Sequence, residues 1–277
     1  MRKALALERG TFRNGIPHLR FGAGPRRLLF LSGGPGNQLP DGLGALAIAF
    51  ALRPFCDEYT VDVVTRKSGL PEGYTTQDMA GDYAELIRQE FGGHVDLVIG
   101  MSYGGLIAQH FAADYAELFG HLVIAMAAHK VSEADRRIDF RYAELTSKGQ
   151  DREAMAQRAE EIFPAGPLKP LLAAALWAVG KPLLGSAGDT FRKDVLIEAK
   201  AELAHESTSS LKRITVPVLI AGGRNDFAFP VSAVQEMAAL IANSTLKIYP
   251  GGHFTAILDR RFAQDVREFT RQPRATT

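Results

Sequence analysis

Apolar positions along the chain fall into short β-type runs separated by stretches with helical spacing. Residues 3–9 alternate as an extended segment, Asn14-Gly15 makes a turn, and residues 16–21 resume extended structure. Residues 28–32 form a short apolar run that ends in Gly-Gly-Pro-Gly, the pattern of a buried strand entering a tight loop. A small-residue helix over 43–52 and a strand over 59–64 follow. Thr75 with Asp78 is a capping box for a helix running to Phe91. Residues 95–99 are a pure β run, 106–118 read as helix, and 121–126 as another apolar strand. Strand and helix in alternation require crossover connections. The predicted fold is therefore α/β, with a mostly parallel sheet flanked by helices.

The rhythm breaks after Ala128. Residues 135–163 are charged and helix-favouring, 166–185 are rich in Leu and Ala, and 194–205 are helical again. No strand is expected between 131 and 210. Alternation then returns with a strand at 216–220, a helix at 231–242, a strand at 246–249 and a helix at 256–271. The expected organisation is a core of residues 1–130 and 211–277, interrupted by a helical cap or lid insertion at 131–210. The apolar segment 166–185 carries Lys169, Lys181 and three prolines, so its uninterrupted apolar stretch is too short for a membrane span.

Composition narrows the partners. Lys plus Arg total 32 against 31 Asp plus Glu, a formal net charge of +1, and pairs such as Arg26-Arg27 and Arg136-Arg137 are isolated. A nucleic-acid binder working through phosphate neutralisation needs a basic excess or stripe, so nucleic acid is not expected. The single cysteine, Cys56, cannot close an intramolecular disulfide. The opening MRKALALERGTFRNG has no apolar run of signal-peptide length. Both point to a cytoplasmic chain. No clustered Cys/His spacing, phosphate-binding loop or dinucleotide fingerprint is present, so neither metal nor cofactor is expected. The sequence does not reveal an oligomeric state.

The strongest chemical signal is Gly100-Met101-Ser102-Tyr103-Gly104, between a β run and a helix. A serine on such a turn is held in a strained, exposed conformation, and glycines two residues to either side relieve collisions with neighbouring backbone. The helix that starts there aims N–H groups and its positive end at developing negative charge.

On these residues the chain resembles the α/β-hydrolase fold superfamily, over nearly its whole length. The resemblance implies a triad in the order nucleophile, acid, histidine. The acid then falls in Gly222-Gly223-Arg224-Asn225-Asp226, as Asp226, and the base in Pro250-Gly251-Gly252-His253-Phe254, as His253. Ser102 would attack, His253 would take its proton, and Asp226 would orient the imidazole and stabilise its charged form. Asp135 is the competing acid, because some relatives take it from the loop after the preceding strand. Ser32-Gly33-Gly34-Pro35-Gly36 is similar to the family's oxyanion loop, with Ser32 in place of the customary loop-bracing histidine. The resemblance implies that the backbone N–H groups of Gly34 and Tyr103 form the oxyanion hole. Asn37, Gln38 and Asp41 follow and are candidates for the pocket rim.

A serine at the elbow argues for acyl transfer rather than the aspartyl-ester chemistry of dehalogenases and epoxide hydrolases. The leading expectation is a serine hydrolase, carboxylesterase-like, acting on a small-molecule ester or thioester through an acyl-enzyme. Residues 171–179 would make the substrate lipophilic if they face the pocket, and Glu153, Arg158 and Glu160 read as a solvated helix face. One alternative is a prolyl-iminopeptidase-like aminopeptidase, which needs a carboxylate pair from the cap. Glu198, Glu202 and Glu206 share a helical spacing of four, but the expectation for them is an exposed, solvated face. Another is a slow or non-catalytic ligand receptor on the same fold.

Overall fold

A computed structural model describes residues 6–34, 36–162, 170–171, 174 and 188–271, with the side chains of 133–135 and 158–162 outside that description. The strands are β1 (Glu8–Thr11), β2 (Pro17–Phe21), β3 (Arg26–Leu31), β4 (Tyr59–Val64), β5 (Val95–Met101), β6 (Phe119–Ala125), β7 (Val218–Gly223) and β8 (Ser244–Tyr249). They form one sheet in the order β1-β2-β4-β3-β5-β6-β7-β8. The β1–β2 and β2–β4 pairings are antiparallel and the remaining pairs parallel.

Alternation along the central strands divides the core in two. Leu29 and Leu31 of β3, Val98 of β5, Ile124 of β6 and Ile220 of β7 face one side. There they meet α2 (Thr76–Glu90) and α3 (Tyr103–Asp114) through Ile87, Leu106 and Phe111. Leu28, Phe30, Ile99, Val123 and Leu219 face the other side. They pack on α1 (Gly42–Leu52) and on the final helix Arg260–Arg271 through Ala49, Phe262 and Val266. Period-two alternation with both faces apolar is what a sheet covered by helices on both sides requires. Both arms of the Thr75–Asp78 capping box form.

Helix α3 begins at Tyr103 rather than 106 and ends at Asp114, with a separate 3-10 turn at Ala116–Leu118. Gly104 and Gly105 disfavour helix on propensity, but tertiary packing overrides them at the start of α3. Between β6 and β7 every described element is helical: α4 (Glu133–Ser147), α5 (Asp151–Ile162), α6 (Asp189–Leu203) and α7 (Thr208–Arg213). The charged, helix-favouring stretch forms two helices, separated at Lys148-Gly149-Gln150, where Gly149 takes φ +72°. The Leu/Ala-rich stretch 166–185 lies almost wholly outside the described residues. Helices α8 (Val231–Leu240) and α9 (Arg260–Arg271) complete the chain. No helix among the described residues is long and apolar enough to cross a membrane.

Candidate active site

Ser102 sits between the end of β5 and the first turn of α3 with φ 54° and ψ −121°, a conformation that costs a non-glycine residue about 1–3 kcal/mol. The surroundings enforce it. Its N–H donates to Ala125 O at 3.0 Å, and its carbonyl accepts from Gly105 N at 2.7 Å and Leu106 N at 3.1 Å. A methyl group at Gly104 would lie 2.2 Å from Leu31 O, and one at Gly100 would lie 2.6 Å from Gly104 O. The two flanking glycines therefore let α3 approach β3 and β5 closely enough to hold the turn.

Asp226 lies in the turn after β7. That turn is tied to the loop after β8 by Arg224 N–H to Tyr249 O at 2.8 Å and Asn225 N–H to Gly251 O at 2.9 Å. Its Oδ1 accepts from the N–H groups of Ala228 at 2.9 Å and Phe229 at 3.0 Å, which fixes the orientation of the carboxylate. His253 follows β8. With a proton on Nδ1, it donates to Asp226 Oδ2 at 3.0 Å. Ser102 Oγ then donates to His253 Nε2 at 2.9 Å. Asp226 and His253 are both buried. The three residues come from chain positions far apart and meet at the carboxyl ends of β5, β7 and β8, where an open α/β sheet places its crevice. The rings of Phe227, Phe229 and Phe254 surround the imidazole at 5.6, 5.8 and 4.9 Å between centroids. Phe227 and Phe254 remain 42% and 51% exposed.

The loop after β3 lies against the serine, since a methyl group at Gly33 would come 2.8 Å from Ser102 Cβ. Gly34 takes φ +71°. Tyr103 opens α3 and its ring is buried; its hydroxyl donates to Glu198 O at 2.8 Å. Burial, reinforced by the charge of Glu198, pushes the Tyr103 phenol well above its ordinary range, so it stays neutral.

Other sequence candidates are placed differently. The backbone of Asp135 lies in α4, and its side chain is outside the described residues. Asn37 is drawn inward, donating from Nδ2 to Lys67 O and Asp194 Oδ2. Asp41 stands at the N-terminus of α1 in an ion pair with Arg9 at 2.9 Å, and Gln38 is half-buried. Glu206 is exposed, but Glu198 and Glu202 are buried, which corrects the expectation of a solvated face for those two. Of the cap face, Glu153 is exposed, while the side chains of Arg158 and Glu160 are outside the described residues. Among the described residues no group of three His, Cys, Asp or Glu could hold a metal ion.

Sequence reasoning missed Arg66. This side chain is 1% exposed and follows β4. It donates to Ser32 O at 3.0 Å, to Gly34 O and Gly36 O, and to Glu198 Oε2 at 2.7 Å. Its guanidinium also lies over the Tyr103 ring, 4.9 Å from the centroid. Burial alone would lower its pKa, but the Glu198 carboxylate outweighs that and holds the guanidinium fully charged. No local signal marks it, because its partners lie about 30 residues before it and 132 residues after.

The family model for the alpha/beta hydrolase fold matches residues 64–259. A protein from Pantoea ananatis carrying the name carbamate hydrolase RutD is 25% identical over 229 residues, covering 82% of this chain and 80% of that one. An enol-lactonase structure from Burkholderia xenovorans LB400 superposes with TM-score 0.72 at 18% identity, covering 96% of this chain and 100% of that one. A thermophilic esterase structure from Thermogutta terrifontis superposes with TM-score 0.67 at 22% identity, covering 96% and 98%. With its elbow, sheet order and family match in agreement, the chain belongs to the α/β-hydrolase fold family.

Proposed function

We propose that the protein is a serine hydrolase that cleaves a small-molecule ester or thioester through an acyl-enzyme. The observation that carries this reading is the continuous hydrogen-bonded chain from Ser102 Oγ to His253 Nε2, and from His253 Nδ1 to Asp226. Ser102 Oγ attacks the carbonyl carbon while His253 Nε2 takes its proton, and Asp226 stabilises the resulting imidazolium. The N–H groups of Tyr103 and Gly34 receive the tetrahedral oxyanion. His253 returns the proton to the departing alcohol or thiol, and water then releases the acid by the same steps in reverse. The names borne by similar proteins, a carbamate hydrolase, an enol-lactonase and an esterase, all denote attack on an acyl carbon.

The half-exposed rings of Phe227 and Phe254 beside His253 favour an apolar group on that side of the scissile bond. The excursion between β6 and β7, residues 131–210, in which every described element is helical, serves as the cap. Its α6 reaches the loop beside Ser102 through Glu198, which accepts from the Gly36 N–H. Glu198 is committed to Arg66, which argues against its use as a receptor for a substrate ammonium group.

A panel of p-nitrophenyl esters of increasing chain length, with a carbamate and Pro-naphthylamide as further arms, tests the reading. Turnover is expected on at least one ester and abolished in Ser102→Ala. Unchanged turnover in that variant would remove the assignment. Preference for Pro-naphthylamide would replace it with the aminopeptidase, and ligand-induced stabilisation without any turnover would leave a receptor.

A further inference from the structure

We infer that Arg66, paired with Glu198 of α6, is the positioning residue that holds the Gly34 N–H in its oxyanion-binding orientation. The inference rests on the function proposed above and names a residue outside the triad on which its rate depends. The peptide carrying the Gly34 N–H joins Gly33 to Gly34. The carbonyls on either side of it, Ser32 O and Gly34 O, both accept from Arg66. A peptide whose two neighbours are fixed has little freedom to rotate. Intrinsic preference cannot supply that order, because Gly33 and Gly34 lack side chains and Gly34 takes φ +71°. Two residues beyond Gly34, Gly36 O also accepts from Arg66 at 2.7 Å, and the Gly36 N–H donates to Glu198 Oε2.

Glu198 closes the arrangement. A guanidinium that is 1% exposed needs a compensating charge, and the Glu198 carboxylate, itself fully buried, supplies it at 2.7 Å. Tyr103, whose own N–H is the other proposed donor, is held from the same side. Its ring lies beneath Arg66 and its hydroxyl donates to Glu198 O. One ion pair thus contacts the backbone of the oxyanion loop and the side chain of Tyr103, although neither charged group reaches the reacting atoms. A planar fork can serve several carbonyls at fixed angles, whereas the single ammonium of lysine cannot.

The experiment measures kcat and KM on the best ester of the panel for Arg66→Lys, Arg66→Met and Glu198→Gln, well below each variant's unfolding temperature. Inhibition by a phenyl trifluoromethyl ketone, whose adduct with serine carries an oxyanion, is measured alongside. A misplaced donor should lower kcat about 30–100-fold with KM within about threefold, and weaken the ketone by the same factor. Arg66→Lys should lie between Arg66→Met and the parent. If Arg66→Met does not fold, the other two variants carry the test. Folded variants with kcat within threefold of the parent, or a lowered kcat with unchanged ketone affinity, would overturn the inference. Loss of turnover in Ser102→Ala together with fully active Arg66 variants removes this inference alone. Retained turnover in Ser102→Ala removes the serine-hydrolase reading beneath it.

Discussion

His205, just beyond α6, makes the stability of this protein sensitive to acid. The side chain is 3% exposed, and its Nδ1 shares a 2.9 Å hydrogen bond with Thr76 Oγ1. Its ring meets that of His110 edge-on at 5.3 Å, and His110 Nδ1 is itself bonded to Ser210 Oγ at 3.0 Å. Among the described residues Nε2 has no hydrogen-bond partner. Burial, followed by the charges that His110, Arg136 and His129 would bring, pushes the His205 pKa down to about 3 from an ordinary 6.5. The folded state therefore refuses a proton that the unfolded chain accepts.

The sign follows directly. Above pH 6.5 the imidazole is neutral in both states and contributes nothing to the pH dependence. Between 6.5 and 3 the unfolded state alone is protonated, so stability falls as pH falls, and below 3 the loss levels off. At pH 5 the loss from this one residue is about 2 kcal/mol, from about 1.4 kcal/mol per unit of pKa difference. Urea melts of the parent and His205→Gln at pH 7.5 and 5.0 isolate that amount. Glutamine keeps a polar partner for Thr76 and does not titrate, and its constant cost cancels when the two pH values are subtracted. The parent should lose about 2 kcal/mol more than the variant over this interval. Equal losses would show that His205 is hydrated or protonated in the folded state, and the argument from burial would fail.

Two further outcomes follow from the site's geometry. Asp226→Asn keeps the shape of the carboxylate but removes the charge facing His253 Nδ1; kcat on the panel ester should fall on the order of 10⁴-fold with little change in Tm, and a fall of less than tenfold would show that another acid serves His253. Gly104→Ala forces a methyl group to within 2.2 Å of Leu31 O; it should cost about 1–3 kcal/mol in a urea melt and displace Ser102, whereas a melt and kcat matching the parent would show that α3 can shift without consequence.

What the sequence revealed was local, and what it concealed was the pairing of distant charges. The Gly100-to-Gly104 elbow, the Thr75–Asp78 box and the strand Tyr59–Val64 are each encoded within a few residues, where period and turn chemistry suffice. Asp226 and His253 are singled out by the resemblance, which puts an acid and a histidine in the turns after two late strands, and both residues lie in the turns that follow β7 and β8. The start of α3 at Tyr103 is not legible locally because Gly104 and Gly105 oppose helix; the neighbours demanding them, Leu31 and Ala127, lie elsewhere in the chain. Glu198 and Glu202 looked like a solvated face because carboxylates usually are solvated. Only the fold brings Glu198 to Arg66, across 132 residues, and no spacing rule reaches that far.

Those same charges explain how α6 is set against the sheet domain. Phe191, Val195 and Ala199 join Tyr142, Leu145 and Met155 in an apolar cluster among the helices between β6 and β7. Ile197 and Ala201 belong instead to the main core. Between these two faces runs a buried stripe of Asp194, Glu198 and Glu202 at intervals of four. Asp194 accepts from the N–H groups of Gly69 and Leu70, both at 2.8 Å, while Glu198 takes Arg66 from the same stretch after β4. Apolar contacts tolerate a helix that slides or rolls by a fraction of a turn. Hydrogen bonds to two successive N–H groups and an ion pair one turn along do not, because each has a fixed direction and each broken one leaves a buried charge uncompensated. The stripe therefore costs desolvation but fixes the register of α6 on the β4 loop. Since Arg66 carries that register onward to Ser32, Gly34 and Gly36, the loop beside Ser102 takes its shape from how α6 docks. Exchanging residues 131–210 to alter the substrate would then preserve the rate only if carboxylates equivalent to Asp194 and Glu198 are kept four residues apart.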